Sequence, residues 1–330
     1  MNRSKLAGKL LLSGGLLAYL FWKFPAADTF AAMRETRLLP FAGAALTLFP
    51  ITLLGGCQAL YMTRAQGIPL SLRDMVRINL ATAFYALFLP GVLAGGAVKW
   101  YKLARAGSKP AQAAAVVLFN RYMETFAVVL VGVLFLLPDP LPTGGFRSLK
   151  TASLFLLVLF LIGYGLLLLP RLPEKAERWI ARLPLPQPVQ EKRRKLLDAM
   201  QRFQDLRFRD HAGLHGVLLL RNGVGILSTY LLARSLDLDI SLIQVGWVRS
   251  VMALIATLPL SFSGLGVREG TLVVLLSGYG VPPAQALAFS FLIFLRGILL
   301  ASAGGLLELH QFLRKPLANG VHRYFTNEQQ

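Results

Sequence analysis

The chain has 330 residues, of which the apolar set AVILMFWYC makes up 55% and charged residues 15%, with a mean hydropathy of +0.56. Globular chains are about 45–50% apolar even with Gly counted and about 25% charged, so a soluble enzyme, a disordered tail protein and a disulfide scaffold are all excluded. The net charge of +19 would suggest nucleic acid in a soluble protein. Here the basic residues sit mainly in loops between apolar runs, where positive-inside bias and anionic headgroups account for them, and no nucleic-acid partner is expected.

The first apolar stretch, Leu6–Phe24, follows Arg3 and Lys5. More apolar stretches come after it and no small-x-small cleavage site closes it, so it reads as a retained helix rather than a signal peptide. Leu38–Met62 is next and holds Cys57, the only cysteine, which has no partner for an internal disulfide or a Cys metal cluster. The third stretch, Ile78–Val98, has Pro90 and Gly91 at its middle and Gly95 and Gly96 beyond. Pro removes a backbone donor and Gly allows a reversal. Arms of about 12 and 8 residues would each reach roughly 12–18 Å at 1.5 Å per residue. That is half a bilayer, and it predicts a re-entrant hairpin. Arg64, Arg73 and Arg77 precede this stretch, and Lys99, Lys102, Arg105 and Lys109 end or follow it. A simple crossing would send one of these basic sets outside.

Ala111–Leu137 and Thr151–Leu169 read as crossings, followed by a basic segment over 171–213. There Trp179, Ile180 and Leu183 make one apolar face, and Leu196, Met200 and Phe203 another, beside the run Lys192–Lys195. This pattern predicts a helix in the headgroup layer. Leu214–Arg234 crosses again to a turn with Asp237 and Asp239. Leu242–Phe262 and Val267–Gly278 form a second broken hairpin, and Pro283–Leu309 returns.

The expected fold is an all-α polytopic membrane protein, with about six full crossings plus two re-entrant broken-helix hairpins. It forms a single membrane domain over 1–330. An N-terminal helix and outer loop (1–37) lead into repeat one (38–137). A connecting helix and basic cytoplasmic loop (151–213) lead into repeat two (214–309) and a cytoplasmic tail (310–330). Loop charge puts both termini in the cytoplasm of a bacterial or archaeal plasma membrane.

The two broken segments match each other. One reads Leu-Pro-Gly-Val-Leu-Ala-Gly-Gly-Ala-Val-Lys from Leu89 to Lys99, the other Leu-Pro-Leu-Ser-Phe-Ser-Gly-Leu-Gly-Val-Arg from Leu258 to Arg268. Each has a Gly five residues after its Pro (Gly95 after Pro90, Gly264 after Pro259) and a cation nine after it (Lys99, Arg268). Phe119 to Arg121 and Phe294 to Arg296 then share a Phe-x-Arg. The predicted orientations of the two units are opposed. Inverted repeats with broken helices are common among secondary transporters, where the site lies at the breaks.

Leu-Pro-Leu-Ser-Phe-Ser-Gly-Leu-Gly-Val-Arg-Glu-Gly (Leu258–Gly270), together with Asn79–Lys99, resembles the lysylphosphatidylglycerol synthase transmembrane-region family, also called flippase-like membrane proteins. The resemblance covers nearly the whole chain. It implies lipid handling: synthesis and translocation of aminoacylated phosphatidylglycerol in full-length synthases, and glycolipid or hopanoid-type lipid movement in other members. The synthase carries a soluble aminoacyl-transfer domain after its membrane part. This sequence ends at Gln330, so aminoacyl transfer is not expected of it.

Ionisable groups at membrane depth are costly and serve as functional hypotheses. They are Arg121, Glu124, Arg221, Arg249, Arg268, Glu269, Arg296 and Glu308. Arg121 and Glu124 are i and i+3, placed to pair on one helix face. Arg268 follows Gly264-x-Gly266 at a helix start, where guanidinium and helix dipole together favour a phosphate. Anionic headgroup binding is therefore expected of Arg268, Lys99, Arg296 and Arg121. Glu124, Glu269, Pro90, Gly95, Gly96, Pro259, Gly264 and Gly266 take structural or coupling roles. Asn79, Asn120 and Asn222 read as interhelical glue. No catalytic group, metal or cofactor is assigned, since His211 and His215 lack a Glu at zinc-enzyme spacing and no nucleotide-binding Gly-rich loop occurs. The leading function is a lipid or polyprenyl-linked lipid transporter with anionic membrane lipids as partners. The alternatives are a membrane enzyme acting at a lipid phosphate, and an accessory subunit of an envelope-lipid synthase.

Overall fold

The computed structural model describes residues 26–88, 94–140, 147–168, 187–256 and 266–314, with residues 15, 18–20 and 22–24 ahead of them. The described residues form twelve helices and no strand. In chain order these are α1 (Ala26–Arg34), α2 (Leu38–Leu46), α3 (Leu48–Ala65), α4 (Leu72–Phe88), α5 (Ala94–Gly107), α6 (Pro110–Leu136), α7 (Arg147–Leu168), α8 (Gln187–Gln201), α9 (Phe208–Ser235), α10 (Leu242–Ile255), α11 (Val267–Ser277) and α12 (Pro283–Arg314). Five stretches are long and apolar enough to cross a membrane: Leu38–Ala65, Pro110–Leu136, Ser148–Leu166, Phe208–Ser235 and Pro283–Leu313. The protein is an all-α, multi-pass membrane protein. The further crossing expected at Leu6–Phe24 lies largely outside the described residues, as do Pro90, Pro259, Gly264, Trp179, Ile180 and Leu183.

Local chemistry sets the same corner twice. α3 ends where Ile68 N–H reaches Thr63 O (2.9 Å) and Gly67 turns left-handed at φ 62°. α9 ends where Leu238 N–H reaches Ala233 O (3.0 Å) and Asp237 turns at φ 55°. Gly adopts that conformation freely, and Asp is among the few other residues that tolerate it. Four residues later each chain meets a serine cap. Ser71 Oγ accepts from Asp74 N–H (3.2 Å) while Asp74 accepts from Ser71 N–H (3.1 Å). Ser241 Oγ accepts from Gln244 N–H (3.2 Å) while Gln244 accepts from Ser241 N–H (2.8 Å). Both are capping boxes, which fix where α4 and α10 begin.

α4 and α5 fold back on each other. A Cβ on Gly95 would lie 3.3 Å from Ala86 and 3.4 Å from Thr82, residues that a straight helix would carry far away. The two ends of this hairpin meet, since Lys109 Nζ donates to Gly67 O at 2.9 Å. The arms are longer than the sequence suggested, 17 and 14 residues, because capping by Ser71 starts the first arm well before Ile78. α10 and α11 make the corresponding contact with arms of 14 and 11 residues.

The two halves then exchange partners: α4 packs on α12, and α10 on α6. Gly132 lets α6 approach Ser250 of α10, and Gly304 lets α12 approach the Leu80 carbonyl of α4. The core falls into two clusters. One contains Trp247, Phe289, Leu232 and Leu272. The other contains Met62, Met75, Phe119 and Leu214. α7 packs one face on these clusters through Leu149, Leu157, Phe160 and Tyr164, and its other face leaves Phe155, Leu159 and Ile162 exposed, a surface suited to lipid rather than water.

The described part of the basic segment, from residue 187 on, forms the expected helix and packs its apolar stripe on α6. Phe203, just past α8, stacks on Phe119 of α6 with ring centroids 4.1 Å apart, and Ala199 is buried. The Leu196–Met200–Phe203 stripe therefore packs on protein. Gln66 Nε2, which donates to Ala199 O at 2.7 Å, ties the helix to the end of α3.

Candidate functional site

The midpoints of the long helices are polar. Glu124 is the fifteenth of 27 residues in α6 and Arg221 the fourteenth of 28 in α9. At 1.5 Å per residue each lies about 20 Å from either helix end. Arg221 Nη1 donates to Glu124 Oε1 at 2.6 Å and to Gln58 Oε1 at 3.0 Å. Gln58 Nε2 in turn donates to Asn120 Oδ1 at 3.0 Å. Gln58 is fully buried, and its amide bridges α3, α6 and α9, so none of these polar atoms is left to lipid.

A cavity of about 200 Å³ opens beside this network, with Arg121, Glu124, Thr125, Arg221, Asn222 and Arg249 on its walls. That exceeds the roughly 150 Å³ of an engineered cavity that takes a benzene ring. There is room for a phosphate-sized group. Arg249 reaches the cavity from α10 and donates to Asn222 Oδ1 at 3.3 Å. Its guanidinium crosses α9 at Gly225, where a Cβ would collide with it. Like charges stand nearby, Arg221 and Arg296 both lying within its electrostatic reach.

Further cations stand around the walls. Lys99 is 9% exposed, with Glu124 and Arg221 as charged neighbours. Among the described residues no carboxylate pairs with it. Arg296 Nη1 donates to Ser228 Oγ at 2.6 Å, and Ser228 also receives Thr47 Oγ1 at 2.6 Å. Arg121 thus shares the cavity with Arg221 and Arg249, while Lys99 stands near Glu124 and Arg221, and Arg296 near Arg249.

Arg268 stands elsewhere. Its Nη2 lies 2.5 Å from Glu269 Oε1, its Nε donates to Ser290 Oγ at 3.0 Å, and its guanidinium covers the Phe294 ring. Glu269 is wholly buried and accepts from Gly266 N–H at 2.7 Å. Gly266 at φ 83° supplies a conformation that other residues avoid. Gly95 and Gly96 sit inside α5 and pack against α4 and Val117 of α6.

The expected Arg121–Glu124 pairing gives way to Arg221–Glu124. Gln58 and Asn120 hold the network between α3, α6 and α9, and they bring Arg221 to the carboxylate from across the bundle. Sequence reasoning had Arg221 and Arg249 among the costly groups at depth but assigned them no role, and it passed over Gln58. The available signal was a polar residue inside each of three apolar runs, which carries no information on which helices meet.

The model of the lysylphosphatidylglycerol synthase TM region matches residues 6–305. The chain belongs to that family. The match takes in α1 to α11 and most of α12, so Glu124, Arg221 and Arg249 all fall inside the family's TM region. No curated protein matches the chain.

Proposed function

We propose that the protein moves an anionic lipid across the membrane, with the headgroup held between Arg121, Arg221 and Arg249 and the tails left in the bilayer. The observation that carries this reading is the cavity itself: three guanidiniums line it with one carboxylate, and Glu124 and Arg221 stand at the midpoints of two crossing helices. Guanidinium binds phosphate bidentately, and an ionisable group at this depth marks a pathway more often than a scaffold. Lys99 and Arg296 supply positive field behind the walls.

In this proposal the α4–α5 and α10–α11 hairpins are re-entrant and enter from opposite leaflets, as halves of an inverted repeat. Alternating access follows from rocking one half against the other about the fixed site. The host is a bacterial or archaeal plasma membrane, with both termini cytoplasmic. An envelope-lipid synthase is the natural source of cargo.

The test is lipid movement in proteoliposomes holding fluorescent phosphatidylglycerol, with a membrane-impermeant quencher outside. The intact protein should expose inner-leaflet probe to the quencher, and Arg221→Gln and Arg249→Gln should each slow it more than about tenfold. Equal rates in the intact protein and both variants would remove the cavity from the transport path.

A further inference from the structure

We infer that the cavity selects its lipid by net negative charge: it prefers headgroups with two or more negative charges, such as a lipid monophosphate or diphosphate, over the single charge of phosphatidylglycerol, and rejects a lysyl-esterified one. The inference rests on the headgroup reading above and narrows its substrate class.

The charge pattern within the molecule carries it. Two cations away from the cavity that sit at or near membrane depth have carboxylate partners. Arg268 is paired with Glu269, and Lys102 with Glu308 at 2.8 Å. Around the cavity this pairing stops after one instance. Arg221 has Glu124. Among the described residues, Arg249 has the Asn222 amide and Arg296 the Ser228 hydroxyl as side-chain partners, and Lys99 has no carboxylate within ion-pair distance. Arg121 adds a further guanidinium to the wall. Three guanidiniums and one carboxylate thus line the cavity, with Lys99 a charged neighbour of Glu124 and Arg296 a charged neighbour of Arg249. Burying charge without compensation is strongly unfavourable, so the site is built for a counter-charge that the protein does not supply.

The headgroups differ sharply in what they bring. A phosphodiester such as phosphatidylglycerol brings one negative charge. A monophosphate ester or a diphosphate brings two or more and offers extra oxygens to several guanidinium forks. A lysyl ester of phosphatidylglycerol adds two ammonium groups to one phosphate and is net positive. Ammoniums brought into a cavity of about 200 Å³ lined by Arg121, Arg221 and Arg249 meet charge of their own sign, and like charges so placed repel.

The experiment measures binding to the purified full chain in detergent, using farnesyl diphosphate, dioctanoyl phosphatidylglycerol, its lysyl ester and inorganic pyrophosphate. Farnesyl diphosphate should bind about tenfold or more tighter than phosphatidylglycerol, and the lysyl ester about tenfold or more weaker. Pyrophosphate should bind more weakly than farnesyl diphosphate, because it lacks the tail. Arg249→Glu should reverse the order, so that the lysyl ester gains affinity while the diphosphate loses it. A gain of binding is an effect that misfolding does not produce. If Arg249→Glu fails to fold, Arg296→Gln should still narrow the gap between the two lipids. Equal affinity for phosphatidylglycerol and its lysyl ester would overturn the charge rule and leave the headgroup site standing. No binding of any lipid probe would overturn both. Pyrophosphate binding as tightly as farnesyl diphosphate would make this a soluble-anion site and end the lipid assignment.

Discussion

A Cβ built on Gly132 of α6 would stand 2.9 Å from the Cβ of Ser250 on α10, and one on Gly304 of α12 would run into the Leu80 carbonyl of α4. The two contacts where the halves of the chain exchange helices both depend on a missing side chain. Small residues let helices approach in this way inside a membrane.

Gly132→Ala and Gly304→Ala should therefore each destabilise the protein by about 1–3 kcal/mol through overpacking. The larger loss is expected at Gly304, where the obstacle is backbone. Gly223→Ala and Gly297→Ala, at helical sites with no neighbour within 4 Å, should be neutral or stabilising by up to about 1 kcal/mol. Melting temperatures of the four variants in one detergent check the order.

Gly225→Ala separates function from stability. The group in its way is the far end of the Arg249 side chain, which can swing aside. Lipid movement should fall several-fold while the melting temperature shifts by only a few degrees. A steep loss of melting temperature would mean that Arg249 is fixed by packing and is not a free cavity group.

Arg268→Ala leaves Glu269 buried without its cation, and this should cost on the order of 3–5 kcal/mol. Glu269→Gln in the same chain should recover much of the loss, since Ser290 and the Gly266 N–H remain as partners. Thermal denaturation of the single and double variants reads the coupling. An Arg268→Ala protein that melts normally but fails to move lipid would return this arginine to the headgroup site.

Asp74 titrates where the first hairpin begins. Hydrogen bonds from the Ser71 hydroxyl and backbone hold its carboxyl below the ordinary value. A depressed folded value adds stability above the unfolded pKa of about 3.9, which is lost as pH falls through the folded value. Melting should thus decline below about pH 4 in the intact protein, and less so in Asp74→Asn. Ser71→Ala should cost about 1 kcal/mol at neutral pH, the usual worth of a serine cap.

The proposal that the hairpins enter from opposite leaflets makes a labelling prediction. With Cys57 replaced by Ala, single cysteines at the exposed Ser71 and Ser108 should react from one side of the membrane, and at the exposed Asp239 and Ser277 from the other. Reaction of all four from one side would remove the inverted arrangement.

Composition and apolar run length by themselves determined that this is an all-α membrane protein, because backbone in lipid has to satisfy its own hydrogen bonds within a helix. Local residues determined more. Ser71 with Asp74 and Ser241 with Gln244 write the starts of α4 and α10, and the Asn79–Lys99 and Leu258–Gly270 segments carried the family resemblance. These signals act over a few residues and are legible in order along the chain. The cavity is different in kind. Gln58, Glu124, Arg221 and Arg249 come from four helices, and in sequence each stands in an apolar run with nothing to say which helix it will face. Glu124 had a near neighbour in Arg121 at i−3, yet it pairs with Arg221, 97 positions away. Helix periodicity fixes which face a residue occupies, while the glycine contacts that set helix partners, Gly132 with Ser250 and Gly304 with Leu80, decide which faces meet. Only once the helices pack do isolated charges become one electrostatic site.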